Sequence, residues 1–387
     1  MTDPERMRAF LEAHVLPLEP AFLADRHDEV DAGVARAREV ARASGLWCPH
    51  LPGSLGGMGL SLVALGEVGA VLGRSPLGHL ACNCNAPDAG NMELLHRAGT
   101  PDQQERWLHP LAAGLVRSCF GMTEPEHPGS NPVWMSTRAE RDGDGWRITG
   151  HKWFTTGADG ASFCVVMAVT DPDGPPHARA TMFVVPTDAP GFTRVRDLPV
   201  MGAPSRGPAS HAEVRLEQVW VPDADRLGPV GAGFRLAQER LGPGRIHHCM
   251  RWIGIAERAL DLLVARARQR ELAPGAPLGN KQMVQAWIAE SYVRIRAARL
   301  LVLDTAARIE QVGARAARVD VAAIKLHTAK VMLDVVDHAL QAHGGAGMLD
   351  EGTPLAWWYR HERAARIYDG ADEVHIETIA RALLGAP

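Results

Sequence analysis

Residues 120–158 read FGMTEPEHPGSNPVWMSTRAERDGDGWRITGHKWFTTGA, and how this stretch parses decides the fold. Thr123-Glu124-Pro125 ends an extended run from Ser118 to Met122, and His127 to Asn131 supply turn residues. Pro128 fixes φ and Gly129 permits a positive φ, so backbone N–H groups can face an anion or a ring edge. Met135 to Arg141 then alternates, Asp142-Gly143-Asp144-Gly145 turns, and Trp146 to Thr149 returns, which predicts a hairpin. The returning strand ends in Lys152-Trp153-Phe154-Thr155-Thr156-Gly157, two aromatics beside two hydroxyls. Such a surface suits a large planar heterocycle with a polar edge. On pattern alone it equally describes a surface hairpin that packs its rings on a neighbouring domain.

Working outward, the hydrophobic period is two from about Arg117 to Pro222. Ser162 to Thr170, Thr181 to Val185 and Glu213 to Val221 form β-rich runs between Pro, Gly and Asp clusters. Before them the chain reads as helices. Asp3 caps a helix with Pro4 at its first position, running from Glu5 to His14. Asp28 to Ser44 is amphipathic, Ser61 opens a helix through Val71, and Thr100-Pro101-Asp102-Gln103 is a capping box for a helix through Leu111. The glycine-rich Pro52 to Gly59 follows no strand and opens no βαβ unit, so it reads as a loop and not a dinucleotide fingerprint. After Gly231 helices return. One starts at Phe234, breaks at Gly242-Pro243-Gly244 and resumes from Arg245 to Glu271. Asn280 caps another through Glu310, with Met283, Trp287, Tyr292, Ile295 and Leu300 as its apolar positions. Ala316 to Ala342, a helix opened by Thr353-Pro354, and Ala371 to Leu384 complete the set. Arg294, Arg296 and Arg299 read as a solvated or oligomer-facing stripe. The expected fold is α+β: an N-terminal helical domain over 1–117, a small antiparallel β domain over 118–228, and a four-helix bundle over 229–387.

A chain of 387 residues, 46% hydrophobic and 22% charged, is long enough for a large core in two or three domains. A net charge of −4 and a pI near 6.5 give no basis for a nucleic-acid or membrane-surface partner. The start MTDPERMRAF lacks the apolar run of a secretory leader, and no stretch is long enough to span a bilayer. The six scattered cysteines predict reduced thiols in a cytoplasmic protein. His247-His248-Cys249 invites a metal, but adjacent helical residues point about 100° apart and cannot converge on one ion. These three read as pocket wall or helix packing, with no metal expected.

The TEP-x-x-x-GS loop followed by GHKWFTTGA resembles the acyl-CoA dehydrogenase family of flavoproteins, and the resemblance continues to the C-terminus. Gly242 to Gly254 (GPGRIHHCMRWIG) and Tyr368 to His375 (YDGADEVH) resemble the branch whose vertebrate members fuse this domain to a kinase-like domain. The resemblance implies FAD as cofactor, an acyl-CoA or carrier-bound acyl substrate, an electron-transfer flavoprotein as acceptor, and a homotetramer or homodimer. It also implies removal of hydrogen from Cα and Cβ of a thioester. That chemistry needs a base at Cα, a hydride acceptor at Cβ and donors on the carbonyl. The family's base is a glutamate in an IYEG segment, here Ile367-Tyr368-Asp369-Gly370. Asp369 is therefore the implied catalytic base, its backbone N–H a donor to the carbonyl and Gly370 beside the substrate. Taken alone, Asp-Gly ahead of a helix reads as an ordinary N-cap. Burial against an apolar ring would raise the carboxyl pKa and help it act as a base.

Asp is one methylene shorter than the family's Glu. Some members carry the base instead one residue before the position of Arg245, which here is Gly244. The related nitroalkane oxidases also use Asp, so a flavin oxidase or monooxygenase is the alternative activity; a non-catalytic scaffold is the third reading. For the cofactor, the resemblance assigns Phe120, Met122, Thr123 and Ser130 in a loop one residue longer than usual, and Trp153, Phe154 and Thr155 beside the ring. The Thr155 hydroxyl is its candidate donor to N5. Gln341, Gly344 and Gly345 match a turn that approaches the adenosine half from a neighbouring subunit. Arg270 and Gln282 resemble a further contact, with one extra residue between them. Ala371 and Glu373 replace its usual T-x-Q segment. Arg245 matches a substrate-pocket arginine, and Ser130 a serine near the acyl-CoA.

Overall fold

The computed structural model describes residues 1–203 and 205–385. Its chief elements are helices α1 (Asp3–Phe10), α2 (His27–Ala43), α3 (Leu62–Gly73) and α4 (Asp88–Ala98), then strands β1 (Ser118–Gly121), β2 (Arg138–Asp142), β3 (Gly145–Thr156), β4 (Phe163–Val169), β5 (Ala180–Pro186), β6 (Phe192–Asp197), β7 (His211–Pro222) and β8 (Arg226–Leu227). Helices α5 (Gly233–Gln269), α6 (Gln282–Val312), α7 (Arg318–His343), α8 (Leu355–His361) and α9 (Asp372–Leu384) follow. The chain forms two compact units. One comprises Met1–His50, Met58–Cys82 and Gly242–Pro387; the other comprises Leu51–Gly57 and Asn83–Leu241. Among the described residues no helix is long and apolar enough to cross a membrane.

In the β-rich unit the strands run β6-β7-β3-β2-β4-β5-β8, with β1 paired to β4. The expected hairpin is there: Asp142 faces Gly145 across the two-residue loop, and Arg138 faces Thr149. The sheet is antiparallel along most of its length, but β1 joins β4 in parallel, Cys119 opposite Cys164. Of the elements above, β6, α4 and the two-residue β8 are not predicted by the sequence. The first is mostly exposed and so lacks alternation. The second is tied to β1 through Asp88, which accepts from the Ser118 N–H (2.7 Å) and hydroxyl (2.6 Å). Trp146, Ile148, Phe183, Val214 and Leu216 fill the core, as the period-two pattern requires.

In the helical unit, Trp252, Ile295, Val302, Ile324, Val335 and Trp358 share a core. Helices α3 and α5 cross closely on two glycines. A methyl on Gly254 would overlap the Ala70 carbonyl oxygen, and one on Gly73 would overlap that of Arg251. Backbone cannot yield as a side-chain tip does, so Gly254→Ala is expected to cost at least about 1–3 kcal/mol. A thermal melting temperature equal to that of the unsubstituted protein would show that the crossing is looser than drawn.

Several local expectations need correction. Thr2, not Asp3, caps α1: its N–H donates to the Glu5 carboxylate at 2.7 Å. The Thr100 box forms as expected, with bonds of 3.0 and 3.2 Å to and from Gln103. Helix α5 does not break at Gly242-Pro243-Gly244 but continues through it. Pro243 has no N–H for the carbonyl of Glu239 four residues back, and the Arg97 guanidinium donates to that oxygen at 3.4 Å. Lys281 rather than Asn280 stands at the N-cap of α6. On that helix Ile295 is buried, whereas Met283, Tyr292 and Leu300 are 66%, 59% and 60% exposed. Arg299 is no solvated stripe residue, since it lies against Glu67 and Glu257. All six cysteines are buried.

Candidate functional site

Two clusters hold the residues singled out from the sequence, one in each unit. In the β-rich unit, β3 carries a bulge: Lys152 faces Val214 but Thr155 faces Ala212, so β3 holds one residue more. Phe154 sits in it at φ +46° and is 46% exposed. Bulges re-aim side chains at functional edges. The Trp153 ring meets Phe154 edge-on at 5.1 Å, and the Trp153 backbone N–H donates to the Thr123 carbonyl at 3.0 Å. Phe120 lies under the Arg240 guanidinium at 4.3 Å. Among the described residues, the Thr155 hydroxyl and the Trp153 indole N–H are buried with no hydrogen-bond partner. Native structures rarely leave such groups unmet. Two orphaned donors beside two rings fit a planar group with a heteroatom edge, and FAD meets that description.

The neighbouring loop forms a cleft lined by Met122, Thr123, His127, Pro128, Asn131 and Trp134. Gly129 stays outside the left-handed region. It is needed for closeness instead, since a Cβ would stand 3.3 Å from a Thr123 methyl. Ser130 is exposed on the same turn.

Beneath the loop is an ion pair the sequence reading missed. Lys152 and Glu124 meet at 2.9 Å with side chains 1% and 2% exposed. Lys152 also donates to the Met122 carbonyl (2.9 Å). Glu124 accepts from the backbone N–H groups of Ser136 (2.6 Å) and Thr137 (2.9 Å). Burial lowers the Lys152 pKa, with the Glu124 charge opposing it. Burial pushes Glu124 the other way, but Lys152 and the Ser136 and Thr137 bonds outweigh it and hold the carboxyl below its usual value. One charged pair thus ties β3 to both ends of the loop.

In the helical unit Asp369 is not an N-cap. Ala371 caps α9, and Asp369 stands before it at φ +54°, followed by Gly370 at φ +100°. Its surroundings are cationic rather than apolar. His248 Nε2 lies 3.1 Å from Asp369 Oδ2, Arg245 Nε donates to the Asp369 carbonyl (3.2 Å), and Lys325 Nζ donates to the Gly370 carbonyl (2.6 Å). Burial pushes the Lys325 amine down to about 8 against the pull of Asp369. It lowers Arg245 as well. His375, whose Nε2 lies 3.3 Å from the Asp369 carbonyl, goes down to about 4, through burial and then the charges of Arg245 and Lys325. Of these partners only Arg245 was singled out beforehand as a site residue. Lys325 carries no motif, and the sequence reads His248 as pocket wall or helix packing.

The remaining predicted cofactor positions do not join either cluster. Arg270, Gln282, Gln341, Gly344, Gly345 and Glu373 are exposed, and Ala371 is half-buried at the start of α9.

The acyl-CoA dehydrogenase N-terminal, middle and C-terminal domain families match residues 4–115, 119–219 and 231–384. The probable acyl-CoA dehydrogenase FadE2 of Mycobacterium tuberculosis is 46% identical over 347 residues, 89% of this chain and 84% of that protein. Acyl-CoA dehydrogenase family member 10 of mouse is 42% identical over 97% of this chain, which spans only 36% of that longer protein. Among solved structures, an acyl-CoA dehydrogenase from Mycobacterium abscessus superposes with TM-score 0.93 at 39% identity, covering 99% of this chain and 97% of that one. A glutaryl-CoA dehydrogenase from Mycobacterium smegmatis, solved in complex with FADH2, superposes with TM-score 0.84 at 26% identity, covering 99% and 94%.

Proposed function

The chain belongs to the acyl-CoA dehydrogenase family, and from that membership we propose that it removes two hydrogens from an acyl thioester with Asp369 as the base. It is an oxidoreductase whose cofactor is FAD. Bound FAD supplies the two-electron acceptor for a hydride from Cβ. The protein's own part is to hold the flavin and to take the α-proton. Phe120, Met122, Thr123, Ser130, Trp153, Phe154 and Thr155 hold the flavin, with the buried Thr155 hydroxyl as donor to its edge. Asp369 accepts the proton from Cα as the Cα–H bond breaks, and its own N–H polarises the thioester carbonyl. Gly370, Arg245 and Ser130 border the substrate. The observation that carries this reading is the Asp369 carboxylate, held on a left-handed turn by side chains of α5 and α7.

In this reading the exposed Gln341, Gly344 and Gly345 serve a neighbouring subunit's cofactor, and Arg270, Gln282, Ala371 and Glu373 are further cofactor contacts. Exposed apolar side chains on α6 and α9, such as Met283, Leu300, Leu383 and Leu384, support a homodimer or homotetramer. A separate electron-transfer flavoprotein takes the electrons, in the cytoplasm. The three-domain division at 117/118 and 228/229 is the proposed modular plan. Anaerobic mixing of the yellow protein with butyryl-, octanoyl-, palmitoyl- and isobutyryl-CoA tests the activity. Flavin bleaching with a product two hydrogens lighter by mass spectrometry is the expected result. Oxygen uptake with a small nitroalkane and no bleaching by any thioester would replace dehydrogenation with an oxidase.

A further inference from the structure

We propose that His248 is the positioning residue of the Asp369 base, its Nε2–H fixing one carboxylate oxygen and with it the orientation of the carboxylate toward the substrate. The proposal rests on the reading of Asp369 as that base. It adds no bond-making step: the proton still passes from Cα to the Asp369 carboxylate.

The geometry is specific. His248 Nε2 and Asp369 Oδ2 are 3.1 Å apart, with each side chain 20% exposed, so the contact is mostly withdrawn from water. The imidazole lies on the Trp252 ring at 5.9 Å and 28°, and against Tyr368 at 5.2 Å. Those two rings are held in turn. Arg251 donates through both terminal nitrogens to Glu362 and also reaches the Tyr368 hydroxyl at 3.0 Å. Trp252 Nε1 donates to the same Glu362 at 3.2 Å. The imidazole therefore sits in a rigid slot. Arg245 and Lys325 donate to the main-chain carbonyls of Asp369 and Gly370, and His248 meets the carboxylate itself.

A carboxylate can present either oxygen by rotating, and a base that misses its proton by an ångström loses much of its rate. Pinning Oδ2 removes that freedom. A donor on the ionised form also favours that form, which keeps the base competent at lower pH. Among the other titratable groups nearby, His79 is held well below its ordinary value by burial and then by the charges of Arg251, His247 and His248. On α5, burial pushes the Cys249 thiol up to about 12, while Arg245 and Arg251 remain cations. From α7, Lys325 titrates near 8. On the Asp369 segment itself, Tyr368 is raised by burial, His375 lies near 4, and Asp372 is bonded to Arg366 at 2.6 Å.

The test uses the FAD-loaded protein with whichever of the four acyl-CoA esters above bleaches it fastest. Single-turnover flavin reduction is measured from about pH 5 to about pH 9. His248→Phe keeps a ring in the slot and removes only the N–H. Reduction is expected to slow about ten- to a hundredfold at neutral pH, with the acid limb moved to higher pH. His248→Gln, which can donate to the same oxygen, should recover most of the rate. If Asp369→Asn reduces its flavin normally, the base assignment itself fails. If Asp369→Asn is inactive while His248→Phe keeps the normal rate and profile, only the positioning role fails. A Gln variant no better than Phe overturns the role too.

Discussion

Asp369→Asn is expected to retain bound FAD and to lose substrate-driven flavin reduction by about 10²- to 10⁴-fold, the usual worth of a positioned base. The substitution isolates charge from backbone. Asp369 holds φ at +54°, a conformation Asn tolerates better than most residues. The amide oxygen can also still accept from His248. What disappears is the ability to take a proton. Absorbance of the bound flavin and the melting temperature should match those of the unsubstituted enzyme, so loss of rate cannot be ascribed to unfolding. Normal bleaching by the acyl-CoA panel would remove Asp369 from the mechanism and send the search for the base elsewhere.

Glu124→Gln carries the largest expected cost in stability. The change leaves the Lys152 ammonium, 1% exposed, without its counter-charge. Breaking a buried pair by neutralising one partner costs about 3–5 kcal/mol. The loop from Met122 to Thr137 hangs on the same pair through the Met122 carbonyl and the N–H groups of Ser136 and Thr137. FAD should therefore be lost along with stability. Urea unfolding and flavin content per chain report the two effects. The double variant Glu124→Gln/Lys152→Met should be more stable than the single one, because no charge is left stranded. A single variant within about 1 kcal/mol of the parent, with full flavin, would mean that water reaches Lys152 and that the pair is peripheral.

Much of the architecture can be read along the chain because it is local. The hairpin from Arg138 to Thr156 follows from alternation around Asp142-Gly143-Asp144-Gly145. The helix after Thr100 follows from its capping box, and α9 from the turn before it. These signals act within a few residues, where backbone propensity and side-chain caps decide the outcome. The same local logic misleads where a distant group intervenes. Gly242-Pro243-Gly244 reads as a break, yet α5 is continuous and Arg97 serves the carbonyl that Pro243 cannot. Met283, Tyr292 and Leu300 read as core by type but are exposed; of the expected positions α6 buries Ile295, together with Ala298 and Val302.

The candidate site divides along the same line. Family resemblance alone points to Asp369, and to Trp153 and Thr155, from their places in short motifs. Tertiary structure alone decides what surrounds them: His248 and Arg245 from α5, Lys325 from α7, and Glu124 under Lys152. The reason is physical. A motif records which residues are neighbours along the backbone, whereas a carboxylate's working state depends on charges and donors within a few ångströms, and here folding brings those in from positions 44 to 124 residues away.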